Sequence, residues 1–381
     1  MPVLSYKHRL YPNRAQVAGF EAMLGAFCDL YNAALQQRIE AYRRLGKTLR
    51  YVDQASELKA VRAVDERLAG YSFSAEQQVL RRLDKAFRAF FRRLKTKGKA
   101  GFPRFRAKSV FDSAEFRVGD GLTIRRSGRL GIVGIPGELK VKWHRNLPAG
   151  AKIGTAVLSR SAGKWFLCFQ ITMSDEEVQP RDGASVGIDV GLSSLIATSN
   201  GETVAAPQWT KLAAKKQRRL QRALARAKRG SKRRLKAKCR LARHSAATAN
   251  QRRDFLHKLA RSLVGRYAFI AIEDLSVDRL ARSMFAKAVH NAAWGQFRSF
   301  LEYKAANAGV RVEAVDPRGT SQTCPECGAV VAKTLADRTH RCVCGCVMDR
   351  DVAAAKVILH RAIHGKGPGH GLRTPSQRVA A

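Results

Sequence analysis

Residues 320–359, TSQTCPECGAVVAKTLADRTHRCVCGCVMDRDVAAAKVIL, carry the pattern from which the rest of the chain is read. Cys324-Pro-Glu-Cys327-Gly and Cys342-Val-Cys344-Gly are two tight turns with glycine after the second thiol. That is how a chain presents two pairs of thiolates to one tetrahedral zinc ion. Five cysteines within 23 residues could instead form disulfides, but thiols paired this closely in a chain with no secretory features read as a metal site. Cys346 leaves the second pair open: Cys344 with Cys346, or Cys342 with Cys346, would also complete the set. Cys342 and Cys344 are preferred because Gly345 then repeats Gly328, and His340 is a reserve ligand.

Behind the second turn, Asp349-Arg-Asp351 opens a helix in which Val352, Ala355, Leu359 and Ile363 recur at helical spacing. Asp351 is therefore expected to point away from the buried stripe. A lone acid in a first helical turn is ordinarily an N-terminal cap. Two further acids change that reading. Asp189 interrupts the apolar strand that begins at Val186, and Glu273 closes the apolar strand Tyr267–Ile272. Burying a carboxylate without a partner is costly, so something cationic should meet Asp189. With a hairpin first, a strand later and a helix last, the three acids reach one edge of a mixed sheet flanked by helices. Hard oxygen ligands of this kind suit Mg2+ or Mn2+, and two such ions about 4 Å apart support phosphodiester hydrolysis.

The charge of the chain supplies the matching substrate class. Lys and Arg number 71 against 30 Asp and Glu, a formal +41, which calls for a polyanion, and nucleic acid is the default. The charge runs through all 381 residues, unlike a short polybasic membrane anchor. No segment approaches the roughly 18 uninterrupted apolar residues of a membrane span, and the N-terminal MPVLSYKHRLYPNRAQ has no apolar stretch behind its basic residues, so an intracellular protein is expected. With 45% hydrophobic residues, two to four domains with real cores are expected.

Taken in order, Val3 to Tyr11 reads as a strand. Val17, Phe20, Leu24, Phe27, Tyr31 and Leu35 form a helical stripe that Gly46 ends. A second helix is expected over Val52–Leu68, and a third from a capping box at Ser74–Gln77, burying Leu80, Leu83, Phe87, Phe90 and Leu94. Its other face, Arg81, Arg82, Lys85, Arg88, Arg92, Arg93, Lys95 and Lys97, reads as phosphate-tracking. After a linker-like KAGFPRFR (99–106), six strands follow: Val110–Val118, Leu122–Arg125, Leu130–Val133, Leu139–Trp143, Ile153–Ser159 and Trp165–Thr172. They form a small antiparallel barrel or sandwich that takes in the first strand, leaving the three helices as an insertion. Between Thr203 and Arg253 there is no acid, while Lys211–Lys236 holds thirteen basic residues. This reads as a helix broken near Gly230-Ser231, then a second helix through Asn250 to Leu263, in contact with nucleic acid. Trp294–Ala308 is a helix and Val310–Val315 a strand.

VGIDVGLSSLIATSNGE, NQRRDFLHKL, AIEDLSVDRL, WGQFRSFLEYKA and DPRGTSQTCPECG through CGCVMDRDVAAAKVIL resemble, in order, the split RuvC nuclease and zinc finger of the TnpB family. These are transposon-encoded RNA-guided DNA nucleases related to type V CRISPR effectors. YKHRLYPNRAQ, LYNAALQQRIEAY and GFPRFR are similar to that family's N-terminal part. The resemblance implies a multidomain α+β chain: a wedge-type antiparallel β-barrel (1–12 and 99–181) with an inserted helical recognition lobe (13–98), and an RNase H-like (RuvC) α/β nuclease domain (182–320 and 349–365). A zinc finger (321–348) interrupts the nuclease, and a disordered tail (366–381) follows. It implies binding of a transposon-end guide, omega RNA, by a monomer in the prokaryotic cytoplasm beside the nucleoid, and cutting of double-stranded DNA next to a transposon-adjacent motif.

By that likeness Asp189, Glu273 and Asp351 fall on the catalytic, magnesium-binding positions, and Cys324, Cys327, Cys342 and Cys344 on the zinc ligands. Asp274 and Asp349 are expected to be structural. The family usually has Asn two residues after its last catalytic Asp, where this chain has Ala353. Its second zinc turn also more often has two intervening residues where this one has one. These departures leave an alternative, an RNA-guided DNA-binding regulator with weak or no cleavage. A transposase that joins strands with its own acidic triad is disfavoured by the zinc module between the second and third acids, and single-strand transposase chemistry by the lack of a His-x-His pair.

Overall fold

Val3–Tyr11 (β1) runs as an extended strand until Pro12, and Asn13 then caps a 32-residue helix, Arg14–Leu45 (α1), through a reciprocal capping box with Gln16. Gly46 ends it in the left-handed conformation that glycine adopts at no steric cost, φ 61°. The architecture is taken from a computed structural model that describes residues 3–96, 98–146, 152–172, 178–191, 194–276, 292–334 and 337–364. The expected tail, 366–381, and Lys97 lie outside the described residues. The chain divides into two compact units, residues 1–176 and 177–381.

In the first unit, Tyr51–Val64 (α2) and Glu66–Ala69 (α3) replace the single helix expected over 52–68. Asp65 breaks it, accepting from the Arg67 N–H to start the second piece. Phe73–Lys95 (α4) is capped by Ser72, two residues before the expected box. Leu80 and Leu83 are buried on it as expected, whereas Leu94 is 50% exposed. Two members of its basic face turn inward: the Arg82 guanidinium donates to the Ser113 carbonyl at 3.0 Å, and Arg81 lies over the Tyr51 ring. The linker-like 99–106 is pinned, since Asn32 accepts from the Arg106 N–H and donates to its carbonyl, both at 2.8 Å.

All six strands expected after the linker form: Ser113–Val118 (β2), Gly121–Ile124 (β3), Leu130–Ile132 (β4), Lys140–Lys142 (β5), Lys152–Ser161 (β6) and Lys164–Thr172 (β7). They join β1 in one sheet ordered β4-β3-β2-β6-β7-β1-β5. Leu130 pairs with Leu139, next to the far edge strand, so the sheet nearly closes into a barrel. Its pairs are antiparallel apart from β2 with β3. Phe116, Phe169, Leu158 and Leu167 line one core with Phe20, Phe27 and Leu35 of α1, which fixes the helices against the barrel by apolar burial.

The second unit is built on a five-stranded mixed sheet. Ser185–Asp189 (β8), Ser194–Thr198 (β9) and Thr203–Ala205 (β10) are an antiparallel meander turning at Gly201. Trp209–Ala225 (α5) and Lys232–Arg266 (α6) follow, the second capped by Ser231 at the expected break and running through Asn250 to three residues past Leu263. Phe269–Glu273 (β11) then lies parallel to β8, and Trp294–Ala306 (α7) leads to Arg311–Val315 (β12), parallel to β11. The order is β10-β9-β8-β11-β12. A hairpin, Thr339–Arg341 (β13) and Val347–Asp349 (β14), precedes the last helix, Arg350–His364 (α8). Leu256, Leu263, Phe297 and Leu301 from α6 and α7 cover one face of the sheet, and Ile358 and Ala362 of α8 cover Ala271 and Val315 on the other.

One glycine decides how α8 lies. A Cβ on Gly187, in the middle of β8, would sit 2.0 Å from the Ala355 carbonyl and 2.9 Å from Leu359, so only glycine admits the helix at this distance. This corrects the stripe expected from the sequence. The residues buried on α8 are Ala353, Ala354, Ala355, Val357, Ile358 and Ala362, while Ile363 is 55% exposed. A close helix–strand contact selects alanine, and the larger side chains move to its flanks.

Candidate active site and metal centre

Parallel register places Ile188 of β8 beside Ile272 of β11, so Asp189 and Glu273 follow each other at the carboxyl ends of neighbouring strands. Ligand sites in open α/β sheets form at such strand ends. Asp351 enters from α8. It shares the face of Ala355 and Ile358, one and two turns on, and therefore lies on the packed side of the helix, correcting the expectation that it points away. Its Oδ2 comes close to Gly191, just beyond β8.

The electrostatics join the three acids. Asp189 is pushed up to about 8, first by burial and then by the charges of Glu273 and Asp351, with Arg350 and the Val190 N–H opposing. Glu273 is also raised, chiefly by burial; the Thr320 hydroxyl and the Arg361 charge oppose the shift. The cation expected at Asp189 is thus outweighed by acids, and Arg350 is bonded to Asp351 at 3.3 Å. Half-buried acids crowded with too little positive charge match the donor set of a divalent cation. Their oxygens do not all lie within 4.8 Å of one another, a spacing that among the described residues only cysteine and histidine groups reach.

Neighbouring groups hold these acids in place. The Asp349 carboxylate accepts from the N–H groups of Asp351 and Val352 at 2.9 and 3.1 Å, capping α8. Asp274 pairs with Arg298 at 2.6 Å, which also reaches Glu302. Both neighbours therefore have the structural roles expected of them. Two residues escaped sequence reasoning. The Thr320 hydroxyl donates to Glu273 Oε1 at 2.5 Å, and Arg361 fastens the loop before it by donating to the carbonyls of Asp316 and Arg318. A threonine and an arginine 41 positions apart, bonded to backbone and to one acid, leave no spacing to read. Inward of Glu273 lies an apolar pocket walled by Ile272, Leu275, Trp294 and Phe297.

The cysteines gather as the preferred set. Sγ atoms of Cys324 and Cys344 are 3.7 Å apart, and those of Cys327 and Cys342 3.5 Å. A tetrahedron with 2.3 Å zinc–sulfur bonds has an edge of roughly 3.8 Å, so the four thiols fit such an ion. Gly328 and Gly345 both take positive φ, 76° and 86°, and close the two turns by donating to the Cys324 and Cys342 carbonyls. Burial works against ionising Cys324, yet the N–H groups of Cys327 and Glu326 draw it down to about 5. Cys344, despite the Cys346 N–H beside it, is pushed up to about 12 by Cys327, Cys342 and Cys324. Such crowded sulfurs ionise together only around a cation. Cys324, His340 and Cys346 form a second, overlapping group. The hairpin that carries the second turn runs straight into Asp351, and Arg350 N–H donates to the Arg338 carbonyl at 2.8 Å.

The basic stretch is presented outward. Lys211, Lys215, Lys216, Arg218, Arg219 and Arg222 on α5 are all exposed. Arg234 is used internally, donating to the Leu224 and Ala227 carbonyls at the end of α5. Among the described residues no helix is long and apolar enough to cross a membrane.

Asp189 and Glu273 at the ends of two neighbouring strands with Asp351 on the helix against them, four cysteines spaced to hold a metal, and a basic helical pair define a nuclease-like α/β arrangement, and comparisons with known proteins agree on the nuclease. Three family descriptions match: "Helix-turn-helix domain" over residues 1–47, "Probable transposase" over 168–284 and "Cas12f1-like, TNB domain" over 294–358. Residues 3–45 in this structure are a strand followed by one long helix. A Streptomyces pristinaespiralis protein named "Putative RNA-guided DNA endonuclease" is 33% identical over 377 residues, covering 97% of this chain and 92% of that protein. The Escherichia coli (strain K12) protein "Putative RNA-guided DNA endonuclease InsQ" is 29% identical over 376 residues, covering 93% and 91%. A Cas12f1 chain solved with single guide RNA and target DNA shares the fold, with TM-score 0.57 at 15% identity, covering 91% of this chain and 83% of that one. The chain belongs to the TnpB family of transposon-encoded proteins.

Proposed function

We propose that this protein is an RNA-guided, divalent-metal-dependent DNA endonuclease of an insertion-sequence transposon. The observation that carries the reading is the parallel register that sets Asp189 and Glu273 at the ends of neighbouring strands, with Asp351 brought to the same end by α8. Three half-buried acids from distant parts of the chain, two at the ends of parallel strands and one on the helix packed across them, are a place for cations rather than for packing. Asp189, Glu273 and Asp351 would hold Mg2+ or Mn2+, which when bound supplies an activated water and stabilises the leaving oxygen of a phosphodiester. Thr320 orients Glu273, and the Asp349 cap sets the first turn of α8 and with it Asp351. Cys324, Cys327, Cys342 and Cys344 would hold zinc and fix the hairpin from which α8 starts.

The exposed lysines and arginines of α5 and α6 suit phosphate contacts to a guide RNA, the omega RNA of the transposon end, and to target duplex DNA beside a transposon-adjacent motif. In this reading the barrel with its helices forms a wedge and recognition lobe, and residues 182–320 with 349–365 form a RuvC-like nuclease. The protein works as a monomer on its RNA in the prokaryotic cytoplasm. A non-cleaving regulator is the weaker reading. Ala353 is turned roughly 200° around the helix from Asp351 and is 1% exposed, so the missing asparagine falls in a packed position and not among the acids.

The experiment is to purify the protein with its bound RNA, sequence that RNA, and offer a plasmid carrying the matching target. Cleavage in Mg2+ that stops in EDTA is expected. Absence of copurifying RNA, or cleavage indifferent to the target match, rejects the proposal.

A further inference from the structure

His340 is fully buried, 0% exposed, beside the cysteine cluster, and its Nε2 has no hydrogen-bond partner among the described residues. A buried imidazole nitrogen left in this way needs an explanation. One ring nitrogen lies within 4.8 Å of Cys324 Sγ and Cys346 Sγ, so this trio resembles an alternative ligand set. Lys333 argues against ligation. Its Nζ contacts His340 Nδ1 and is held in place by donating to the Ser321 carbonyl at 2.7 Å. An ammonium has three donors and no acceptor, so Nδ1 must accept, and the neutral ring then carries its proton on Nε2. A protonated nitrogen cannot ligate a metal. It must donate, and the acceptors in reach of the ring are the sulfurs of Cys324 and Cys346.

We infer that Lys333 sets the tautomer of His340, and that His340 donates Nε2–H to the Cys324 thiolate instead of binding the metal itself. His340 is thus a positioning residue, and Cys346 stays outside the ligand set. The inference rests on the zinc reading of the four cysteines. An N–H···S bond drains charge from the sulfur, keeps the thiolate on its ion and makes it a poorer nucleophile. It acts on the most buried of the four thiols, whose N–H donors already come from the first turn.

The test uses the full-length protein loaded with zinc or with Co2+. His340→Ala and Lys333→Met are expected to keep one zinc per chain but to release it to a chelator roughly 10-fold faster. In the cobalt form their thiolate-to-metal charge-transfer band moves to longer wavelength while the ligand-field bands keep their pattern. His340→Gln, whose amide N–H can still donate, should restore the wild-type spectrum. Lys333→Met leaves the ring in place and decides the matter if His340→Ala does not fold. Unchanged spectra and release rates in both variants overturn the inference, and so do altered ligand-field bands, which would make His340 a ligand. A wild-type chain without bound zinc overturns the metal reading beneath it.

Discussion

The two candidate metal centres are assembled in opposite ways. All four thiols come from 21 consecutive residues, 324–344, and the turns that present them are closed by their own backbone hydrogen bonds. The three acids come from positions 189, 273 and 351, and meet only because β8 pairs with β11 and α8 crosses both. Local sequence therefore secures the thiol centre, while the acid centre depends on the packing of the whole second unit. The two are joined in one direction: the hairpin carrying Cys342 and Cys344 ends at Asp351, so a loss at the cysteines reaches the acids, whereas a loss at the acids should leave the cysteines intact.

The largest effect is expected from Asp189→Ala. Removing that ligand should lower target cleavage by roughly 10^3-fold or more, because several kcal/mol of charge stabilisation depend on the bound ions. Zinc content by mass spectrometry and the amount of copurified RNA should not change. Retained cleavage would break the assignment of the acids.

Gly187→Ala tests the dependence on packing. A Cβ 2.0 Å from the Ala355 carbonyl must push α8 off β8, costing about 3 kcal/mol. Both cleavage and the melting temperature of the second unit should fall, with one zinc still bound. A variant as stable and active as the wild type would mean that α8 does not need this approach.

Cys327→Ser should run the other way. Zinc per chain drops to near zero by mass spectrometry, and cleavage drops roughly 10–100-fold as the hairpin before Asp351 loosens. Zinc loss with full cleavage would sever the proposed link between the centres.

A smaller effect separates burial from clustering. Glu76, on α4, is fully buried, more so than the half-buried Asp189, and faces a cation, Arg62, at 2.7 Å. Burial still pushes it up to about 7, with Arg62 opposing. Its folded pKa lies above the unfolded value near 4.5, so the proton is held more tightly in the native state. Stability is accordingly lost as pH rises from about 4.5 to about 7 and is level above that. Relative to Glu76→Gln, the wild type should lose on the order of 2 kcal/mol across that window, read by urea unfolding. Parallel pH profiles for the two proteins would show that Arg62 offsets the burial in full.

What could be read from the sequence follows the same division. β1 was legible to the residue because Pro12 stops it, and α1 because Gly46 does. The barrel strands were legible from two-residue alternation, and the thiol pairing from the repeated glycine. The burial of α8 departs from its own spacing because Gly187, 163 positions before the first residue of the helix, selects which of its faces is packed. Asp351 then belongs to that face, a fact that no periodicity within the helix contains. The cap of α4 slipped because Ser72 and Ser74 are both competent, and the choice is made by tertiary contact, Ser74 facing the Asp120 carbonyl. Thr320 and Arg361 act through backbone carbonyls and a distant carboxylate, so only coordinates expose them.

The most direct measurement is a crystal structure of the RNA-bound protein grown with Mn2+, read by anomalous scattering. Manganese peaks roughly 2.0–2.2 Å from carboxylate oxygens of Asp189, Glu273 and Asp351, with each acid touching at least one ion, are the predicted result. Manganese seated elsewhere, with those three carboxylates bare, would contradict the account.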